Sequence, residues 1–245
     1  MNRPALSVLT YTLALFFLAL GLREGVRQYR EDLYVRAATQ EALSGSAGSD
    51  HVSKVRALQE FVRGHVHNAN FSARNRPFFR DSAADTLAAG KGRCGEATRL
   101  FINMASAAGI SARRLYLEGR KPHVVAVVVA DDGSRLVIDS SDQPYLPEIE
   151  SFESLQRSPQ FTAYSTFGFR RLAALRALPS HDVNLGPLNY VLENPHALIA
   201  CLWLLPSLSL FGLTELLRRR VISRNRADSE RKISVMGGLS GGAEV

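Results

Sequence analysis

The chain has 245 residues, with 30 basic against 23 acidic side chains, a formal net charge of +7 and two cysteines. That length accommodates one domain of moderate size with additional segments, and two cysteines exclude a disulfide-stapled scaffold. The basic excess gathers after Leu217 in a stretch that contains no aromatic residue, which excludes the basic-and-aromatic folded face of a nucleic-acid reader, so no nucleic-acid partner is expected.

In chain order, residues 5–22 form an apolar run behind Asn2-Arg3. A positive start and apolar middle fit a secretory signal, but no small-x-small cleavage pattern precedes Arg23-Glu24, so an uncleaved membrane anchor is expected over residues 1–22. Residues 25–43 are amphipathic and charged, as in a helix or stalk leaving the membrane, and the Ser/Gly run before Asp50 reads as a flexible linker. Stalk and linker together take residues 23–49. Asp50 or Ser53 then caps a helix that runs through Gly64. His65 and His67 form a His-x-His pair, and on a helix such residues point to different faces, so they are read as solvated and no metal is expected. Residues 74–80 form a loop around Pro77, Phe78 and Phe79 that either borders a cleft or is anchored in the core. No phosphate-binding glycine motif or internal repeat is present, and no cofactor is expected.

The turn Gly90-Lys-Gly-Arg-Cys-Gly-Glu96 precedes Ala97, Leu100, Phe101, Met104 and Ala108, whose spacing is that of one helical face. Gly109 supplies the stop. Cys94 therefore sits in the first turn of a helix, where unpaired amides and the positive end of the macrodipole favour thiolate over thiol. Further on, the strand-like run of residues 123–129 opens with His123. A second run, residues 135–139, closes with Asp139, and Asp131-Asp-Gly-Ser134 lies between them. The pattern predicts an antiparallel hairpin. A two-residue loop would put His123 and Asp139 on opposite faces. A three-residue loop with Gly133 left-handed makes them diagonal neighbours on one face, and this register is the one predicted.

Residues 147–179 are helical in pattern but polar, with Phe161, Tyr164, Phe167 and Phe169 as anchors, and a helical extension is expected over residues 147–195. Residues 196–217 are apolar enough to cross a bilayer; they contain Cys201 and Pro206, a candidate kink, and place Glu215 near the headgroups. Residues 218–245 read as a disordered basic tail. Residues 184–196 carry no Lys or Arg while Arg218, Arg219 and Arg220 follow the span, which points to a cytoplasmic tail and an extracytoplasmic domain. Arg23, Arg27 and Arg30 argue the other way, but long domains translocate largely regardless of charge.

Cys94, His123 and Asp139 together have the composition of an acyl-transfer triad: nucleophile, proton carrier, and a carboxylate that orients the imidazole. Singly, each has a bland reading as a packed cysteine, a strand-end histidine or a turn aspartate. Asp142 is a rival for the third position; Asp139 is preferred because it ends the apolar strand. The Cys94 amide is a natural oxyanion donor. Asn68, Asn70 and Asn75 are candidates for the second donor, against ordinary turn roles.

The run DTLAAGKGRCGEATRLFINMASAAGISARRLYL with PHVVAVVVADDGSRLVIDSSD resembles the core of the transglutaminase-like superfamily, and residues 53–66 resemble the helix that precedes its nucleophile. The resemblance spans about residues 50–145, giving a catalytic core at 50–146. It implies an α+β, papain-like fold with the nucleophile helix packed on an antiparallel sheet, here flanked by two transmembrane helices. It also implies that Cys94, His123 and Asp139 are the catalytic residues. Members include cross-linkers, peptidases, amidases and inactive forms. The expectation is a membrane-embedded cysteine enzyme of the bacterial inner membrane. It would act on amide bonds of a protein or peptide substrate, by hydrolysis or acyl transfer, among cell-envelope partner proteins. The rival classes are a membrane interaction module that keeps the fold and a thiol redox sensor that needs only Cys94.

Overall fold

The computed structural model describes residues 3–46, 50–69, 81–165 and 184–239. It divides into two compact units, one of Gly25–Leu198 and one of Met1–Glu24 with Ile199–Val245.

In the first unit, helix α2 (His51–His65) starts at Asp50, whose carboxylate accepts the Ser53 N–H at 3.2 Å. Its Val55, Leu58 and Val62 are fully buried, the three-and-four spacing of a helix with one face in a core. The pair of short parallel strands β1 (His67–Asn68) and β2 (Lys91–Gly92) flanks helix α3 (Ala83–Ala89), which is closed by a capping box between Ser82 and Asp85. Helix α4 (Cys94–Ala107) follows, with Leu100, Phe101, Met104 and Ala105 at zero exposure.

The sheet comprises β3 (Ala112–Gly119), β4 (His123–Val129), β5 (Arg135–Ile138), β6 (Glu150–Ser151) and β7 (Phe161–Ser165) in the order β6-β5-β4-β3-β7, all antiparallel. Side chains alternate across it. Ala126, Val128 and Ile138 join a core with α2, α4 and Val35 and Ala38 of helix α1 (Arg3–Leu43). Val125, Val127 and Val137 join a second core with Phe152 and Leu155 of helix α5 (Phe152–Arg157). Cover on both faces explains why residues 123–129 are apolar almost without alternation.

The hairpin has the predicted three-residue loop. Val129 pairs with Arg135, the Ala130 N–H donates to the Ser134 carbonyl at 2.9 Å, and Gly133 is left-handed at φ 80°.

Helix α6 (Pro187–Glu193) ends in a buried charge cluster. The Arg114 guanidinium on β3 grips both Glu193 oxygens at 2.7 and 2.6 Å and donates to the Gly95 carbonyl of α4 at 2.9 Å. Arg99 lies 3.5 Å from the same carboxylate and donates to the Asp81 carbonyl at 2.6 Å. Burial opposes the charge on Arg114, but Glu193 outweighs it and holds the guanidinium more firmly protonated than usual.

Two expectations are corrected. Residues 150–165 are not one polar helix: β6 and β7 extend the sheet at its two edges and only the six residues of α5 are helical, capped by Ser151 and stopped at extended Ser158. Phe161 and Tyr164 pack into the second core from the strand β7, where non-local pairing outweighs local pattern. One helix, α1, carries both the expected anchor and the expected stalk, and the two units divide within it after Glu24. The chain does not become irregular after Leu217: helix α7 (Pro195–Leu239) continues through Pro206 and the arginines, because extending an existing helix requires no new nucleus. Phe78, Phe79, Phe167 and Phe169 lie outside the described residues.

The second unit contains the apolar parts of α1 and α7. Phe17 stacks on Trp203 with centroids 5.7 Å apart, the Ser207 hydroxyl donates to the Ala14 carbonyl at 2.9 Å, and Gly21 closely faces Leu204. Small residues and interhelical hydrogen bonds are what join helices where lipid removes the hydrophobic drive. Both helices are long and apolar enough to cross a membrane, one of them near the N-terminus.

Candidate active site

Cys94 is the first residue of α4. The Glu96 carboxylate caps the helix by accepting the Arg93 N–H at 3.1 Å. Strand β2 delivers the chain to this point beside β1, with Asn68 opposite Gly92. A Cβ on Gly92 would fall 2.8 Å from that of Glu96, so only glycine fits the approach. The Thr98 hydroxyl, one turn along α4, donates to the Val124 carbonyl at 3.0 Å and so ties the nucleophile helix to the strand that begins with His123.

The structure brings the three expected residues together. Asp139 Oδ2 lies 2.7 Å from His123 Nε2, both side chains being buried, and His123 and Cys94 line the same groove. Asp139 is held by its own turn: Oδ1 accepts the Ser141 N–H at 3.1 Å, and Oδ2 accepts those of Tyr145 at 2.9 Å and Leu146 at 3.2 Å. The Tyr145 ring stands edge-on to the imidazole at 4.7 Å.

The electrostatics follow this chain. Burial opposes charge on all three groups, and their mutual contacts overcome it. Against burial, the hydrogen bond that His123 donates to Asp139, together with the neighbouring Cys94, pushes the His123 pKa up to about 9. The His123 hydrogen bond and charge, with the Val124 amide, bring the Cys94 thiol below its ordinary value despite burial and the opposing Glu96 charge. His123 and the amides of Ser141 and Leu146 likewise hold Asp139 below the usual carboxylate range. All three shifts run in the direction of a thiolate–imidazolium–carboxylate row.

The thiol opens into a groove of about 460 Å³, whose lining includes Asn68, Arg93, Lys121, Asp142 and Tyr145. Asp142 is not the imidazole's partner: its carboxylate accepts the Asn68 N–H at 3.3 Å and lies 3.6 Å from His67 Nδ1. Asn68 lines the groove, whereas Asn70 and Asn75 lie outside the described residues. His67 is on β1 rather than on a helix, and both His65 and His67 are exposed. Among the described residues no cluster of His, Cys, Asp or Glu could hold a metal ion. Sequence reasoning missed Tyr145, Gln59 and Arg63, which support the Asp139 turn. A tyrosine next to Pro144 gives no local signal of such a role, and neither does a polar residue on an amphipathic helix.

Residues 37–139 match the family model of the transglutaminase-like superfamily. No curated protein matches the chain. Three solved structures illustrate the similarity. A candidate cysteine protease from Cytophaga hutchinsonii is 19% identical, with 48% of this chain and 41% of that one covered and a TM-score of 0.39. A candidate protease from Parabacteroides distasonis is 15% identical, with 54% and 27% covered and a TM-score of 0.37. A protein described as a TGase is 19% identical, with 53% and 36% covered and a TM-score of 0.39. The chain thus spans less than half the length of each. With its helices and antiparallel sheet, the chain carries a transglutaminase-like domain at residues 37–139.

Proposed function

We propose that this protein is a membrane-anchored cysteine enzyme that acts on amide bonds of proteins or peptides through an acyl-thioester on Cys94. The observation that carries the reading is that Cys94 and His123 line one groove, with His123 Nε2 2.7 Å from Asp139 Oδ2 behind it. The Cys94 thiolate attacks the amide carbonyl carbon, and the carbonyl oxygen becomes an oxyanion facing the Cys94 N–H at the start of α4. The C–N bond then breaks, and His123 gives its proton to the leaving amine. Water, or a second amine, attacks the thioester; His123 takes the proton of the incoming group, and the thiolate leaves. Asp139 keeps the imidazole aimed and charged throughout. The sequence of the flanks supports an extracytoplasmic domain in an inner membrane, with Arg218–Arg220 on the cytoplasmic side.

The test uses the full-length chain in detergent, incubated with cell-envelope protein extract beside Cys94→Ser, with products read by mass spectrometry. New fragments, deamidated side chains or cross-links that vanish in the variant are the expected result. An unchanged extract, together with slow iodoacetamide labelling of Cys94 that ignores His123→Ala, favours a binding module instead.

A further inference from the structure

The turn that carries Asp139 is gripped from behind by one side chain of α2. Arg63 Nη2 donates to the Asp139 carbonyl at 2.7 Å and to the Leu146 carbonyl at 3.2 Å, Nη1 donates to the Pro147 carbonyl at 3.0 Å, and Nε returns to the Asp139 carbonyl at 3.1 Å. Gln59, one helical turn earlier, donates to the same Asp139 carbonyl at 3.0 Å. These contacts tie together the two ends of a turn whose interior is the Asp139 carboxylate.

From this geometry we infer that Arg63 is a positioning residue for the Cys94–His123–Asp139 row, acting by clamping both ends of the Asp139–Pro147 turn; the inference rests on the acyl-transfer reading above. The Tyr145 and Leu146 amides reach Asp139 Oδ2 only while the turn is closed. When its ends part, the carboxylate loses two of the donors that keep it ionised and aimed at His123 Nε2. The imidazolium then loses its partner, and the thiol its activation. Tyr145 moves with the turn, so the ring that stands against the imidazole shifts too. A planar guanidinium can span three carbonyls at once, whereas a lysine ammonium is a point charge on a flexible stem.

The test follows iodoacetamide labelling of Cys94 against pH in the full-length chain in detergent, for the native protein, Arg63→Lys, Arg63→Ala and Asp139→Asn. Labelling near pH 6 is expected to fall about tenfold in both Arg63 variants, as one unit of lost thiol acidity requires. Millimolar guanidinium restores part of the rate to Arg63→Ala and none to Asp139→Asn. Thermal unfolding by near-ultraviolet circular dichroism checks that each variant is folded, and Arg63→Lys carries the test if Arg63→Ala is not. A folded Arg63→Lys with the native labelling profile overturns the inference and leaves the acyl-transfer reading standing. Slow native labelling that is indifferent to His123→Ala sinks both.

Discussion

Because His123 stores a proton up to about pH 9 and Cys94 ionises below its ordinary 9.0, acylation should rise as the thiolate forms and fall as pH passes about 9. The same titration reports on folding. Folding raises the His123 pKa from 6.5 to about 9, so its contribution to stability is fully present below about 6.5 and lost as pH rises through about 9. Asp139 acts in the opposite sense: its contribution is present above the usual 3.8 and lost as pH falls through its lowered folded value. Denaturant midpoints should therefore decline toward alkaline pH in the native chain more steeply than in His123→Ala. Asp139→Asn turns an amide N–H₂ toward donors that the carboxylate now accepts from, and removes the charge behind the imidazolium. Turnover, read as the rate of product formation, should drop about 10²- to 10⁴-fold.

Elements bring these residues together, and the hairpin is where their meeting is decided. Inserting one alanine between Leu136 and Val137 shifts Asp139 by one position against β4 and moves it to the face opposite His123. Iodoacetamide labelling of Cys94 should then lose its His123-dependent acceleration even if the sheet still forms, which circular dichroism reports. This part of the site was legible because each residue stands at an element boundary with its own local signal: a glycine turn before Cys94, an Asp-Asp-Gly loop between His123 and Asp139. Arg63 was not legible, since its partners lie 76 to 84 positions away and only packing brings them near. For β7 the local pattern misled: Tyr164 pairs with Leu117 of β3 across the sheet, a contact that local sequence does not encode. The helix beyond Leu217 was hidden by composition, since charge density reads as disorder when the preceding turn of helix is left out of account.

Across the first unit, helices α6 and α4 share one charge cluster. Glu193 is buried between Arg114 and Arg99, and Arg114 also holds the Gly95 carbonyl, next to Cys94. Glu193→Gln leaves two buried guanidinium groups without their counter-charge, and thermal or denaturant unfolding should show a loss of about 3–5 kcal/mol. Replacing the cluster by apolar side chains of similar size should be far milder, because it removes the desolvated charges along with their partner.

That shared carboxylate also limits where the chain can be severed without harm to the first unit. A cut ahead of Pro187 would put Glu193 on a separate fragment and strand Arg114 beneath the start of α4. A cut just past Asn194 would leave that carboxylate on the same fragment as Arg114 and Arg99. Where a protease nicks this chain would therefore decide whether Arg114 and Arg99 keep or lose their buried counter-ion.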